Sequence, residues 1–305
     1  MPSLENLFEG ADQNIFKSLT AAEKTMLANY KKVLTDINAE LSNLMVKFGS
    51  EWTDINRGTR LLKLENAIRE RVKEALGTTV RFTDSTIIKA FKDSFHVTEI
   101  VIGEALQIPL SFEQLNVEAI RKLVENPFDR VKWKWKGRSA AHHAAAVDQV
   151  KSVITQGLIK GQGYAATARD VKTKINTLAN NQIRIVRTES HRSQVLGRVE
   201  GIKRAEPTAK KFGFETERVL SSAMDDRTRE QSIEMDGQIA DADGLFTYPN
   251  GVKALPGSTG VPEYDINDRE QVILRLKKDT KKPRVKRAPA AKKKPAAKKT
   301  DGSGQ

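Results

Sequence analysis

Apolar residues in the first third of the chain recur at alternating spacings of three and four. Leu27, Tyr30, Leu34, Ile37, Leu41, Leu44 and Phe48 form one stripe, which predicts an amphipathic helix ending at Gly49. Thr20-Ala-Ala-Glu23 has the form of a capping box and sets the expected start of that helix. Charges beside the stripe are not systematic, so packing within the chain is favoured over a coiled-coil seam. Leu61, Leu64, Ile68, Val72 and Ala75 predict a second helix over 60–76, stopped by Gly77. A third is expected from Thr83-Asp84, through Ile87, Phe91 and Phe95, to just before Pro109, and a short fourth ends at Asn126-Pro127.

The pattern then changes period. Val131–Gly137 alternates Trp133 and Trp135 with Lys132, Lys134 and Lys136, the signature of a short strand or arm. Its rings either dock on the helices, the favoured reading, or stack on nucleic-acid bases. A helix is plausible from Arg138 to about Lys160, before the glycines of Gly157–Gly163, and a further helix over about 179–204 should stop near Pro207. Beyond it, Glu217–Ser222 and Gln271–Leu276 read as strands, and Asp236-Gly237 and Asn250-Gly251 as turns. The fold class expected is α+β: a mainly helical region over 1–130, a small mixed unit over 131–276, and a tail over 277–305.

Charge changes the picture at that tail. Twelve Lys/Arg against Asp279 and Asp301 give residues 277–305 a charge of +10 of the total +13, which leaves only +3 for the preceding 276 residues. Lysine, proline and alanine alternate with almost nothing apolar to bury, so the tail is expected to be disordered alone. A dozen cations on such a segment suit sequence-independent phosphate binding: Lys277, Lys278, Lys281, Lys282, Arg284, Lys286, Arg287, Lys292, Lys293, Lys294, Lys298 and Lys299. The blander reading is a solubilising tail. Cysteine is absent, which excludes disulfides and thiolate ligands, and His96, His142, His143 and His191 lack metal-ligand spacing. No metal and no cofactor is implied. No apolar run approaches the ~20 residues of a membrane span, and the acidic N-terminus lacks the layout of a secretory signal, so an intracellular origin is expected.

The candidate chemistry lies in Ser221–Gln238, where Asp225-Asp226-Arg227-Thr228-Arg229 precedes Asp236-Gly237-Gln238. Upstream stands Arg187-Thr188-Glu189; downstream come Phe246-Thr-Tyr-Pro249 and Asn267-Asp-Arg269. Over residues 150–276 this order resembles the Mu F-like family of phage minor head (head morphogenesis) proteins. Gln231 or Ser232 stands where the family often has His, and Asp268 and Glu270 replace two cysteines of its closing motif. At most, those two carboxylates, expected on one face of a strand, would favour a hard cation.

Two readings of the polar residues compete. Arg187, Glu189 and Arg192 on a helix, with Asp225, Asp226, Arg227, Arg229 and Asp236 after it, form a structural network bracing the domain, the favoured reading. Alternatively they serve an ADP-ribosyltransferase-like enzyme, although Glu215-Thr-Glu217 stands before its strand rather than late on it. The resemblance implies a non-enzymatic minor capsid protein in the virion, at the portal vertex or capsid interior, and in the host cytoplasm during assembly. Its implied partners are the phage portal protein, the major capsid or scaffolding protein, and double-stranded DNA, with no membrane. A stand-alone histone-like DNA-binding protein is the other rival.

Overall fold

The computed structural model describes residues 4–48, 57–110, 115–125, 145, 148–150, 152–157, 160 and 164–277. Helices α1 (Leu4–Phe48), α2 (Arg57–Leu106) and α4 (Tyr164–Lys211) pack on one another, with the short α3 (Val117–Glu125) against α2 and α4. Strand β1 (Thr216–Ser221), α5 (Glu230–Met235), the hairpin β2–β3 (Phe246–Thr247 and Lys253–Ala254), α6 (Pro262–Asp265) and β4 (Gln271–Leu276) follow. β1 and β4 pair antiparallel, from Thr216 opposite Leu276 to Ser221 opposite Gln271. The α+β class expected from the sequence is the class observed.

The long helices are fewer and longer than the pattern predicts. α1 begins at Leu4, so Thr20 caps nothing and lies mid-helix. Leu4 and Phe8 are buried in the main core, and once those residues are helical, propagation through Thr20 is easier than a second nucleation. α2 runs straight through Gly77, whose penalty of about 1 kcal/mol is small against fifty residues of continuous hydrogen bonding. α4 likewise runs through Pro207. Proline there removes the hydrogen bond to the Lys203 carbonyl, but Lys203 and Pro207 are both exposed, so water can take the orphaned oxygen. Residues 148–150 and 152–157 are helical. The Trp133/Trp135 alternation, His142, His143 and the tail from Lys278 lie outside the described residues.

α2 and α4 approach closely because α4 carries Gly197 and Gly201 on one face. A Cβ on Gly197 would sit 2.3 Å from the Phe91 carbonyl oxygen, and one on Gly201 3.0 Å from the Thr98 Cβ. Only hydrogen fits at Gly197. The core below this crossing is shared by both ends of the chain: Leu4 and Phe8 of α1, Val101 and Ile102 of α2, Val195 and Ile202 of α4, and Leu220, Phe246, Val272 and Leu274 of the strands. The first turns of α1 are also pinned by charge. Arg198 of α4 is fully buried, stacks over the Phe8 ring at 5.1 Å and grips both carboxylate oxygens of Asp12.

Candidate functional site

The segment after β1 folds back on itself because Asp225 accepts from the Arg227 amide (3.0 Å) and the Thr228 hydroxyl (3.2 Å), a side-chain-made turn. Arg269 closes on the same carboxylate from the segment before β4, donating from both terminal nitrogens at 2.7 Å. This bidentate pair ties two loops 44 residues apart. It holds the Asp225 carboxyl well below the usual range, mainly through the Arg269 hydrogen bonds, and raises Arg269 reciprocally.

Arg229 extends the tie. Its guanidinium donates to the carbonyls of Glu263 and Tyr264 in α6 and lies 3.4 Å from Asp268. Asp236 accepts from the Ser222 amide at 2.8 Å and so fixes the end of β1 against the turn after α5. Gly237 in that turn has φ +81°, which explains the glycine there. Gln238 both donates to and accepts from the Thr247 backbone, holding the β2 strand.

Beneath these loops lies a buried polar layer on α4. Glu189 accepts from Arg192 at 2.8 Å, and Arg192 donates to the Gly257 carbonyl at 2.6 Å. His191 Nε2 stands 3.5 Å from Asp268 Oδ2, both side chains being almost wholly buried. Asp265 accepts from the Thr259 and Gly260 amides, at 2.8 and 2.9 Å. Glu270, 2% exposed, accepts from the Tyr248 hydroxyl at 3.1 Å. Burial, with Asp268 beside it, pushes the Glu270 carboxyl up to about 7, and burial raises the Tyr248 hydroxyl strongly.

The network expected from the sequence is therefore assembled in part. Asp225, Arg229 and Asp236 tie segments of the α+β unit together, and Glu189 pairs with Arg192 on its own helix, whose guanidinium reaches the Gly257 carbonyl. Arg187 does not: it turns the other way and donates to both carboxylate oxygens of Glu23 on α1, at 2.8 and 2.9 Å, which raises its own basicity. The correction follows from helix geometry, since residues 187 and 189 are two apart and face different sides. Glu23, expected as half of a capping box, is its partner. Asp226 is exposed, and Arg227 meets Asp225 only at 3.4 Å with its own side chain 69% exposed. Of the tail cations, Lys277 is described: its amide donates to the Glu215 carbonyl, closing the β1–β4 ladder.

His191 with Asp268, and Tyr248 with Glu270, were not predicted as pairs. Eighty and twenty-two residues separate the positions that meet in this layer, as Gln271 meets His191 and Glu270 meets Tyr248, so no local spacing announces them. Asp268 and Glu270 stand just before β4 rather than on a strand face. Among the described residues no group of three His, Asp or Glu side chains is arranged to hold a metal.

Candidate enzyme residues are otherwise engaged. Glu217, expected before its strand, is instead the second residue of β1, directly opposite Arg275, and pairs with its guanidinium, Nε to Oε1 at 2.8 Å. Ser193 donates its hydroxyl to the Ile87 carbonyl on α2 at 2.8 Å rather than to His191. Between the Asp225 turn and the segment 266–270 an open cleft of about 250 Å³ remains, lined by Ser222, Arg227, Arg229, Ser232, Asn267, Arg269 and Glu270.

Residues 148–273 match the family model described as Phage Mu protein F like protein, which covers this bracing network. Minor head protein GP7 of Bacillus phage SPP1 is 26% identical over 297 residues, spanning 94% of this chain and 92% of that protein. NAD(+)-arginine ADP-ribosyltransferase EFV of Enterococcus faecalis is 27% identical over 168 residues, which is 55% of this chain but only 33% of that enzyme. No solved structure gives a significant match. The α+β unit thus matches the Mu F-like family model, and the chain is similar over nearly its whole length to a phage minor head protein, which together support a Mu F-like minor head (head morphogenesis) protein.

Proposed function

We propose that this protein is a non-enzymatic structural component of the head, seated at the portal vertex or the inner shell, with its basic tail on packaged DNA. The observation that carries this reading is the similarity to a minor head protein over nearly the whole length of both chains. The braced architecture supports it. Paired arginines and carboxylates tie β1, α5, α6 and β4 into one unit at several points, which suits a part that transmits load between neighbours rather than one that opens around a substrate.

The helical region is the element that meets the portal, major capsid or scaffolding protein in this reading. The tail cations, Lys278 to Lys299, then neutralise DNA phosphates without reading bases, because no base-reading module accompanies them. Two measurements test the two halves. Co-expression with the portal protein should give a co-purifying complex that survives removal of the tail; loss of the complex with the tail contradicts the anchoring role. DNA affinity should fall with salt at a log-log slope of about −0.9 per phosphate contacted.

A second reading is kept open by the partial likeness to an ADP-ribosyltransferase. That match covers a third of the enzyme, and Glu217 is spent on Arg275. Labelled NAD transfer that disappears on changing Arg187 or Glu217 would favour the enzyme over the structural role.

A further inference from the structure

We propose that the cleft between the Asp225 turn and residues 266–270 is a binding site for a phosphate oxyanion, built into the folded body and independent of the tail. Three arginines line it, Arg227, Arg229 and Arg269. Arg269 uses its two terminal nitrogens on Asp225, and a guanidinium carries five N–H donors, so donors remain after the pair is made. Among the described residues the Arg227 side chain makes only the 3.4 Å contact with Asp225, and it is mostly exposed. The cleft has a volume of about 250 Å³, roughly that of eight water molecules, so it admits a phosphate with part of its ester.

Backbone geometry supports a built site. Among the described residues three non-glycine positions have φ in the left-handed region, and two of them, Met224 (51°) and Asn267 (55°), flank this cleft. Asparagine tolerates this region, so the strain lies at Met224; backbone strain of this kind persists where surrounding contacts over-determine it, and it concentrates at functional sites.

Charge decides the ligand class. Asp225 and Asp268 offset two of the guanidiniums and the exposed Asp226 lies nearby, so net attraction is small and recognition rests on directed N–H donors. Donors arriving from several sides match a tetrahedral oxyanion better than a planar carboxylate, which one guanidinium satisfies. Glu270 forms part of the wall, facing Asp268, Arg229, Ser232 and Tyr248. It is neutral below about pH 7 and opposes an anion above it, so binding weakens as pH rises through that value.

Hydrogen exchange on the full chain tests the site, with inorganic sulfate, inorganic phosphate and a short DNA duplex as separate probes. Sulfate does not titrate near neutrality and isolates the effect of Glu270. Exchange in 223–229 and 266–270 should slow several-fold with at least one probe, less at pH 8.5 than at pH 6, and Arg227→Glu should abolish the protection while leaving the melting temperature unchanged. Protection by the duplex identifies a backbone phosphodiester as the source, and protection by the ions alone identifies free phosphate. The site is refuted if no probe protects these segments or if Arg227→Glu leaves protection intact. Protection elsewhere from a bound tail does not enter this readout.

Discussion

Arg198 and Arg187 lie eleven residues apart on α4 and show why burial, not pairing alone, sets the value of an ion pair. Arg198 is fully buried, and its partner Asp12 is half-buried, so removing the carboxylate strands a charge in the core. Asp12→Ala should lower unfolding free energy by about 3 kcal/mol in a urea titration. Glu23→Ala, which removes the partner of the 45%-exposed Arg187, should cost under about 1 kcal/mol in the same assay. Equal losses at the two sites would contradict the packing described. Glu270 gives a pH signature. Its proton is held to about pH 7 in the fold, whereas the unfolded carboxyl releases it near its ordinary value of 4.5. Its favourable contribution is therefore complete at low pH and is lost as pH rises from about 4.5 to 7, with a ceiling on the order of 3 kcal/mol. Asp225 acts in the opposite sense, its stabilisation being lost only as pH falls below the usual carboxylate range. Melting temperatures of Glu270→Gln and the parent should diverge as pH rises from about 4.5 to 7, the variant being the more stable, stay apart above pH 7, and converge below about pH 4.5. The sequence announces Asp225, Arg229 and Asp236 as bracing residues because they sit in one dense motif. It does not announce His191 beside Asp268 or Arg198 beside Asp12, where 186 residues separate the latter pair and only the folded core brings them together.

At the scale of elements, turns were more legible than helix ends. Asp236-Gly237 and Asn250-Gly251 both place glycine at positive φ, as their dipeptides predict, because the requirement is local. Helix limits answer to tertiary packing instead. Gly77 and Pro207 are breakers on paper, yet α2 and α4 continue through them, each interruption being cheaper than starting a new helix. Gly197 carried a readable signal that periodicity alone overlooks: with Gly201 it leaves a four-residue strip of bare backbone on α4, where α2 crosses closely. Gly197→Ala should destabilise the protein by about 2 kcal/mol or more, because the neighbour it meets is the backbone of Phe91 and cannot move alone. Gly10→Ala in α1, where a Cβ meets nothing within 4 Å, should instead stabilise it by roughly 0.5–1 kcal/mol. Thermal unfolding of the two variants side by side separates the crossing from helix propensity.

In the proposed function, a braced body and a basic tail divide the work across the whole molecule. The main core joins the start of α1 to the strands that end at Leu276, so the body is fastened from its first turn to the last residue before the basic segment. The basic segment 277–305, which carries +10, begins at Lys277, whose amide closes the β1–β4 ladder. Replacing the lysines from Lys278 to Lys299 with glutamine should flatten the salt dependence of DNA binding in a filter-binding assay while leaving the melting temperature unchanged. The most direct test of a structural role in the head is quantitative mass spectrometry of purified heads before and after DNA release. The account predicts this chain at a fixed, low copy number relative to the portal in both samples. Its absence from purified heads that contain portal and major capsid protein would contradict that role.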